Sequence, residues 1–135
     1  MPKRILDTEV LIRHYNKMTK PKTVEAVRAH AHELINIQDT KWILWPIRIE
    51  FLCGVRNSDE LKLYAAYMEP FQLLDKPDIK SQDWSEAERW AQRVREAGRA
   101  RKLGDCLIQA IAKRLNAEVV TMDPDFRSRT PPKQS

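Results

Sequence analysis

Short apolar runs alternate along this chain with longer stretches whose apolar residues recur every three to four positions, and that alternation limits the fold more than any other feature. Ile5-Leu6, closing at Asp7, reads as a buried strand passing into a helix, and Trp42-Ile43-Leu44-Trp45 as a second strand. Phe71-Gln72-Leu73-Leu74 and the β-branched Glu118-Val119-Val120-Thr121-Met122 read as two more. Between them, Val24, Val27, Ala31, Leu34 and Ile35 behind a Thr23 cap predict an amphipathic helix. Pro46, with its fixed φ and missing N–H, stops the second strand and suits the first turn of a helix that carries Glu50. Leu61, Tyr64, Ala65 and Met68 predict a further helix, closed by Pro70. A capping-box pattern, Ser85-Glu86-Ala87-Glu88, opens one with the stripe Ala87, Trp90, Ala91, Val94 and Ala97 and a stop at Gly98. Gly104 leads into Asp105 and a last helix through Leu107, Ile108, Ile111, Ala112 and Leu115, ending near Asn116. Strands and helices in this order predict an α/β/α sandwich, three layers around a central, mostly parallel sheet, rather than a bundle or a barrel.

The length of 135 residues fits one domain, here expected over 1–127. The tail 128–135, with two prolines and no apolar residue, is expected to be unstructured. Three glycines cannot assemble a phosphate-binding loop or a dinucleotide fingerprint, both of which need clustered glycines. Cys53 and Cys106 have no second ligand at zinc or dithiol spacing and read as apolar fillers in a reducing compartment. The basic start Met1-Pro2-Lys3-Arg4 is followed by Asp7 and Glu9, which interrupt any signal-like apolar stretch, so no membrane association and a cytoplasmic location are expected. Lysine and arginine number 24 against 19 acidic residues, a net charge of +5 that favours polyanionic partners.

Parallel sheets place their sites at the C-terminal strand edge. Asp7 and Asp123 end two of the strands, and Glu50 and Asp105 lie in the first turns of helices, so four carboxylates scattered along the chain can converge. Taken singly, each has an ordinary explanation as a helix or turn residue. As an ordered set they carry more: Ile5-Leu6-Asp7-Thr8, Glu50-Phe51-Leu52-Cys53-Gly54-Val55, Gly104-Asp105-Cys106-Leu107-Ile108-Gln109-Ala110 and Thr121-Met122-Asp123-Pro124-Asp125-Phe126 together resemble the PIN domain, particularly the VapC-like toxin ribonucleases. That resemblance implies an α/β/α sandwich and a metal-dependent endoribonuclease leaving 5′-phosphate and 3′-hydroxyl ends. It also implies the toxin of a type II toxin-antitoxin pair, silenced by a cognate antitoxin, and a homodimer. Carried over by motif, Asp7, Glu50, Asp105 and Asp123 form the acidic quartet. Asp125 is an outer or substitute acid, and Thr8 and Thr121 are supporting hydroxyls. The chain departs from the pattern at Glu9, where the family commonly has Asn or Ser, and at Trp45-Pro46, where the toxins carry Ser or Thr. A last edge strand is expected to be short or missing.

Carboxylate oxygens are hard ligands that suit Mg²⁺ or Mn²⁺ rather than zinc, and a divalent ion lets packed carboxylates stay ionised side by side. By resemblance, Asp7 and Asp105 are the main ligands, Glu50 a ligand or the acid that positions water, and Asp123 the holder of a second ion. Arg99, Arg101 and Lys102 are the leading candidates for RNA phosphate contacts, followed by Arg13. At least three of Trp42, Trp45, Trp84 and Trp90 are expected in the core. His30 and His32 point apart on a helix and read as a polar face rather than a metal motif. Two other function classes compete. One is a non-catalytic PIN-like module that binds RNA or a protein, and the other is a phosphatase of the haloacid dehalogenase type, which needs a second Asp where Glu9 stands.

Overall fold

A computed structural model describes residues 2–75, 79–92 and 102–122. The expected helix stop at Gly98, the turn from Asp123 to Phe126, the last edge strand and the tail 128–135 lie outside those residues. Along the chain run β1 (Arg4–Leu6), α1 (Thr8–Asn16), α2 (Val24–Gln38), β2 (Trp42–Ile43), α3 (Trp45–Leu52), α4 (Ser58–Met68), β3 (Gln72–Leu73), α5 (Ser81–Ala91), α6 (Leu103–Arg114) and β4 (Glu118–Val120). The four strands make one parallel sheet in the order β3-β2-β1-β4, flanked by the six helices. This is the α/β layering that the strand–helix alternation predicts.

The sheet order positions the site. From the central β1 the chain builds outward to β2 and β3, then returns to place β4 on the other side of β1, with Leu6 in register with Val120. Where connections depart in opposite directions, a crevice opens at the C-terminal strand edge. Asp7 and Thr121, each the first residue past its strand, stand on either side of it. Asn116 takes a left-handed φ of 53°, a conformation Asn tolerates, and turns the chain from α6 into β4.

Packing explains the helices. Ile5, Leu6, Ile43, Leu44 and Ile47 are fully buried, so β1, β2 and the start of α3 form the middle of the core. Beside them Tyr15, Phe51, Tyr64 and Tyr67 join α1, α3 and α4 in an aromatic cluster, with Phe51 stacked on Tyr67 at a centroid distance of 5.4 Å. This cluster fixes the rotation of α4. Tyr67, Ala66 and Met68 turn inward, whereas Leu61 and Ala65, expected on the inner stripe, are exposed. The start of α5 also differs, because the helix begins at Ser81 rather than at Ser85. Asp83 accepts a hydrogen bond from the Lys80 backbone N–H at 2.9 Å and an Arg114 Nε bond at 2.8 Å, and this buried pair ties α5 to α6. Ala87 and Trp90 are buried as expected, while Ala91 is exposed.

Two further expectations are corrected. Of the four tryptophans only Trp90 is fully buried; Trp84 is half exposed, and Trp42 is half-buried with the Lys3 and Lys41 ammonium groups over its ring. At the first position of β2, Trp42 can pack part of its ring on the core and still receive cations from solvent. Cys106 is buried, but Cys53 caps the end of α3 at the surface.

Candidate active site

Asp7 ends β1 and caps α1. Its backbone N–H continues the ladder to the Val120 carbonyl at 3.0 Å, while one carboxylate oxygen accepts from the Thr8 N–H at 2.8 Å. The other oxygen accepts from the Thr121 hydroxyl at 2.8 Å, across the gap between β1 and β4. Thr8 serves a second acid too: its hydroxyl donates to Glu50 Oε1 at 2.9 Å. Thr8 thus links Asp7 to Glu50 through two different donors.

Glu50 reaches the crevice because α3 is aimed at it. Leu44, at the start of α3, supplies no side-chain cap, and Pro46 sits in the first turn with no N–H to satisfy. Asp75, just beyond β3, supplies the cap from outside the helix by accepting from the Trp45 N–H at 3.0 Å. It is 8% exposed. Opposite Glu50, α6 brings up Gly104, where a Cβ would lie 2.8 Å from the Glu50 Cδ; only glycine leaves the carboxylate its place. Asp105 follows in the same first turn.

Asp7, Thr8, Glu50, Asp105 and Thr121 line one cleft of about 430 Å³, with Lys102, Arg13, Glu9, Ile12 and Met122 completing its walls. Burial pushes the Asp7 carboxyl up to about 6; the Thr121 and Thr8 hydrogen bonds act against it, and the charges of Asp105 and Glu50 add to it. Glu50 is raised for the same reasons, burial first, with Thr8 and Lys102 opposing and Asp105 reinforcing. Among the described residues no three His, Cys, Asp or Glu side chains close into a metal-binding group. The donor set nevertheless fits a hard divalent cation. The side-chain oxygens that line the cleft are carboxylates and hydroxyls, and its acids raise one another's pKa in the way an added positive charge relieves.

Residues 4–130 match the PIN domain family. The chain belongs to that family. No curated protein matches it significantly. PIN domains are typically nucleases and generally bind divalent metals. In this PIN domain, no helix among the described residues is long and apolar enough to cross a membrane.

Seven of the residues expected at the site from the sequence meet in the cleft: Asp7, Thr8, Arg13, Glu50, Lys102, Asp105 and Thr121. Asp123, Asp125, Arg99 and Arg101 lie outside the described residues. Sequence reasoning missed Asp75, although it directly follows the apolar run Phe71-Gln72-Leu73-Leu74 as Asp7 follows Ile5-Leu6, and that parallel was the available signal. His14 was missed as well. It stacks on His30 with ring centroids 3.7 Å apart and shares a hydrogen bond with the Tyr67 hydroxyl at 2.7 Å, so His30 belongs to a half-buried network rather than to a solvated polar face.

Proposed function

We propose that this PIN domain is a metal-dependent endoribonuclease that hydrolyses RNA phosphodiester bonds, with Mg²⁺ or Mn²⁺ held by Asp7, Glu50 and Asp105 and by Asp123 as a fourth acid. The observation that carries the reading is the arrival of Asp7, Glu50 and Asp105 in one cleft from three separate elements, at the crevice where parallel-sheet proteins bind ligands. When bound, the cation supplies electrostatic stabilisation of the charge that develops on the attacked phosphate. The chain's own groups do the rest. Thr8 and Thr121 fix the orientation of Asp7, and the Thr8 hydroxyl holds Glu50 facing the cleft, where a carboxylate can orient a water and accept its proton. Lys102 and Arg13, which line the same cleft, would receive phosphates of the bound RNA, with Arg99 and Arg101 as further contacts.

The toxin role, the cognate antitoxin and the homodimer rest on the motif likeness to the VapC-like toxins. Exposed Ile37, Ile49 and Leu61 are suited to a subunit or antitoxin contact. The test is cleavage of a mixed RNA set in Mg²⁺, Mn²⁺ or EDTA, beside Asp7→Asn and Asp105→Asn proteins shown to be folded by circular dichroism. Cutting that needs metal and is lost in both variants establishes the nuclease. Wild type that binds RNA without cutting in either metal overturns it in favour of a non-catalytic binding module. Growth arrest on expression, relieved by the product of the neighbouring reading frame, tests the toxin role separately.

A further inference from the structure

Glu9 stands where the PIN pattern commonly has Asn or Ser, and the structure gives it a definite place. It lies in the first turn of α1, on the wall of the cleft, and its Oε1 is 3.6 Å from the Nε of Arg13 one turn on, which lines the same cleft. The two side chains are 54% and 58% exposed. An acid placed four residues before a base is the favourable order on a helix, and an acid in the first turn also meets the positive end of the helix dipole. The pair is therefore formed at rest. It is also weak, because water screens both charges and two long side chains must be held in one geometry.

We propose that Glu9 is an internal competitor for RNA: its carboxylate occupies the Arg13 guanidinium at the cleft mouth, and a phosphodiester of single-stranded RNA must displace it to gain that contact. The inference rests on the RNA-cleaving reading of the cleft and adds a residue that sets how tightly substrate enters. A carboxylate and a phosphate oxygen present the same acceptor chemistry to guanidinium, so one replaces the other without rebuilding the site. The exposure of the pair leaves the exchange open from solvent. Among the described residues that line the cleft with Asp7, Glu50 and Asp105, Arg13 is one of two cations, beside Lys102, so its occupancy weighs on entry. A phosphate that brings enough further contacts, on Lys102 and beyond, wins the exchange, whereas a short or poorly placed anion does not. Glu9 thereby raises selectivity at some loss of affinity.

The experiment is equilibrium binding of a fluorescent single-stranded oligouridylate, in EDTA and low salt, to wild type, Glu9→Gln, Arg13→Gln and the double variant. EDTA removes any contribution of Glu9 to metal binding. Glu9→Gln is expected to bind roughly two- to fivefold tighter and Arg13→Gln weaker by a similar factor, the range that exposed pairs support. The double variant is expected to match Arg13→Gln, and the gain from Glu9→Gln is expected to shrink at 0.5 M salt, an added concentration at which surface charges are screened. Glu9→Gln binding no tighter than wild type overturns the proposal. So does an equal gain with or without Arg13, which would mean that Glu9 acts by its own charge, and so does the absence of binding in all four proteins. Failure of the nuclease reading shows up elsewhere, as wild type that does not cut in Mg²⁺ or Mn²⁺ while the four-protein binding pattern stands.

Discussion

The Glu50 carboxylate packs against the bare Cα of Gly104, so closely that a single added methyl would lie 2.8 Å from its Cδ. Stability and activity should part company at this contact. Gly104 is the second residue of α6, and alanine there gains up to about 1 kcal/mol of helix propensity. The group in the way is the end of a flexible side chain, so the fold relieves the clash by swinging Glu50 aside. Gly104→Ala is expected to keep or raise the melting temperature while RNA cleavage falls by about tenfold or more, as misplacement of a positioned acid does. Thermal unfolding and a cleavage assay on the same preparation check it; an intact rate would detach Glu50 from the chemistry.

Asp7 makes the metal-free fold sensitive to pH. Its carboxyl is raised from 3.8 to about 6, so the folded chain holds a proton there that the unfolded chain releases, and the stability this contributes is present at low pH and lost as pH rises through 6. A shift of this size corresponds to about 3 kcal/mol. Asp7→Asn removes the charge and keeps a side chain that caps α1 well. In EDTA the variant is expected to exceed wild type in urea resistance at pH 8 by up to that amount and to match it at pH 4. Magnesium is expected to raise wild type alone at pH 8. Equal urea midpoints at pH 8 would show that the buried acid costs the fold nothing.

The alternation of strands and helices, the place of Pro46 in the first turn of α3 and the arrival of Asp7, Glu50 and Asp105 at one edge were all legible, because period, proline and strand-end position are local signals. What escaped was decided by contacts between distant residues. In α4 spacing alone puts Leu61 and Ala65 on the inner face, and the aromatic rings of Tyr15 and Phe51 instead draw Tyr67 inward. In α5 the Ser85 pattern mimics a helix start, while Arg114 from α6 holds Asp83 at the first turn and sets the start at Ser81. The same holds in the cleft, where Thr8 could be named as a hydroxyl neighbour but its link to Glu50 required α3 to be in place.

Asp75 supports the site at one remove. It caps α3 from the end of β3, and α3 carries Glu50. Asp75→Ala leaves the Trp45 N–H without that partner and is expected to lower stability by about 1–2 kcal/mol and to reduce cleavage. Asp75→Asn keeps an oxygen acceptor and is expected to recover most of both. Chemical denaturation and cleavage of the two variants decide it. If Asn proves as damaging as Ala, the negative charge near Arg114 matters more than the cap.

His14 gives the protein a second pH response, opposite in sign to that of Asp7. Burial, then the stacked His30 ring, holds its pKa down at about 4, with Glu33 opposing and Lys17 reinforcing the shift. His14 Nδ1 shares a hydrogen bond with the buried Tyr67 hydroxyl, and His30 donates from Nε2 to the His14 carbonyl at 2.6 Å, so α1, α2 and α4 meet at this network. The folded state resists protonation that the unfolded chain accepts below 6.5, so the stability His14 contributes is present at neutral pH and lost as pH falls from 6.5 towards 4. Partial exposure limits the loss to about 1–2 kcal/mol. His14→Gln, whose amide can still hydrogen-bond Tyr67, is expected to be close to wild type at pH 7.5 and to flatten the fall in urea midpoint between pH 6.5 and 4.5. An equally steep fall in the variant would place the acid sensitivity at another group.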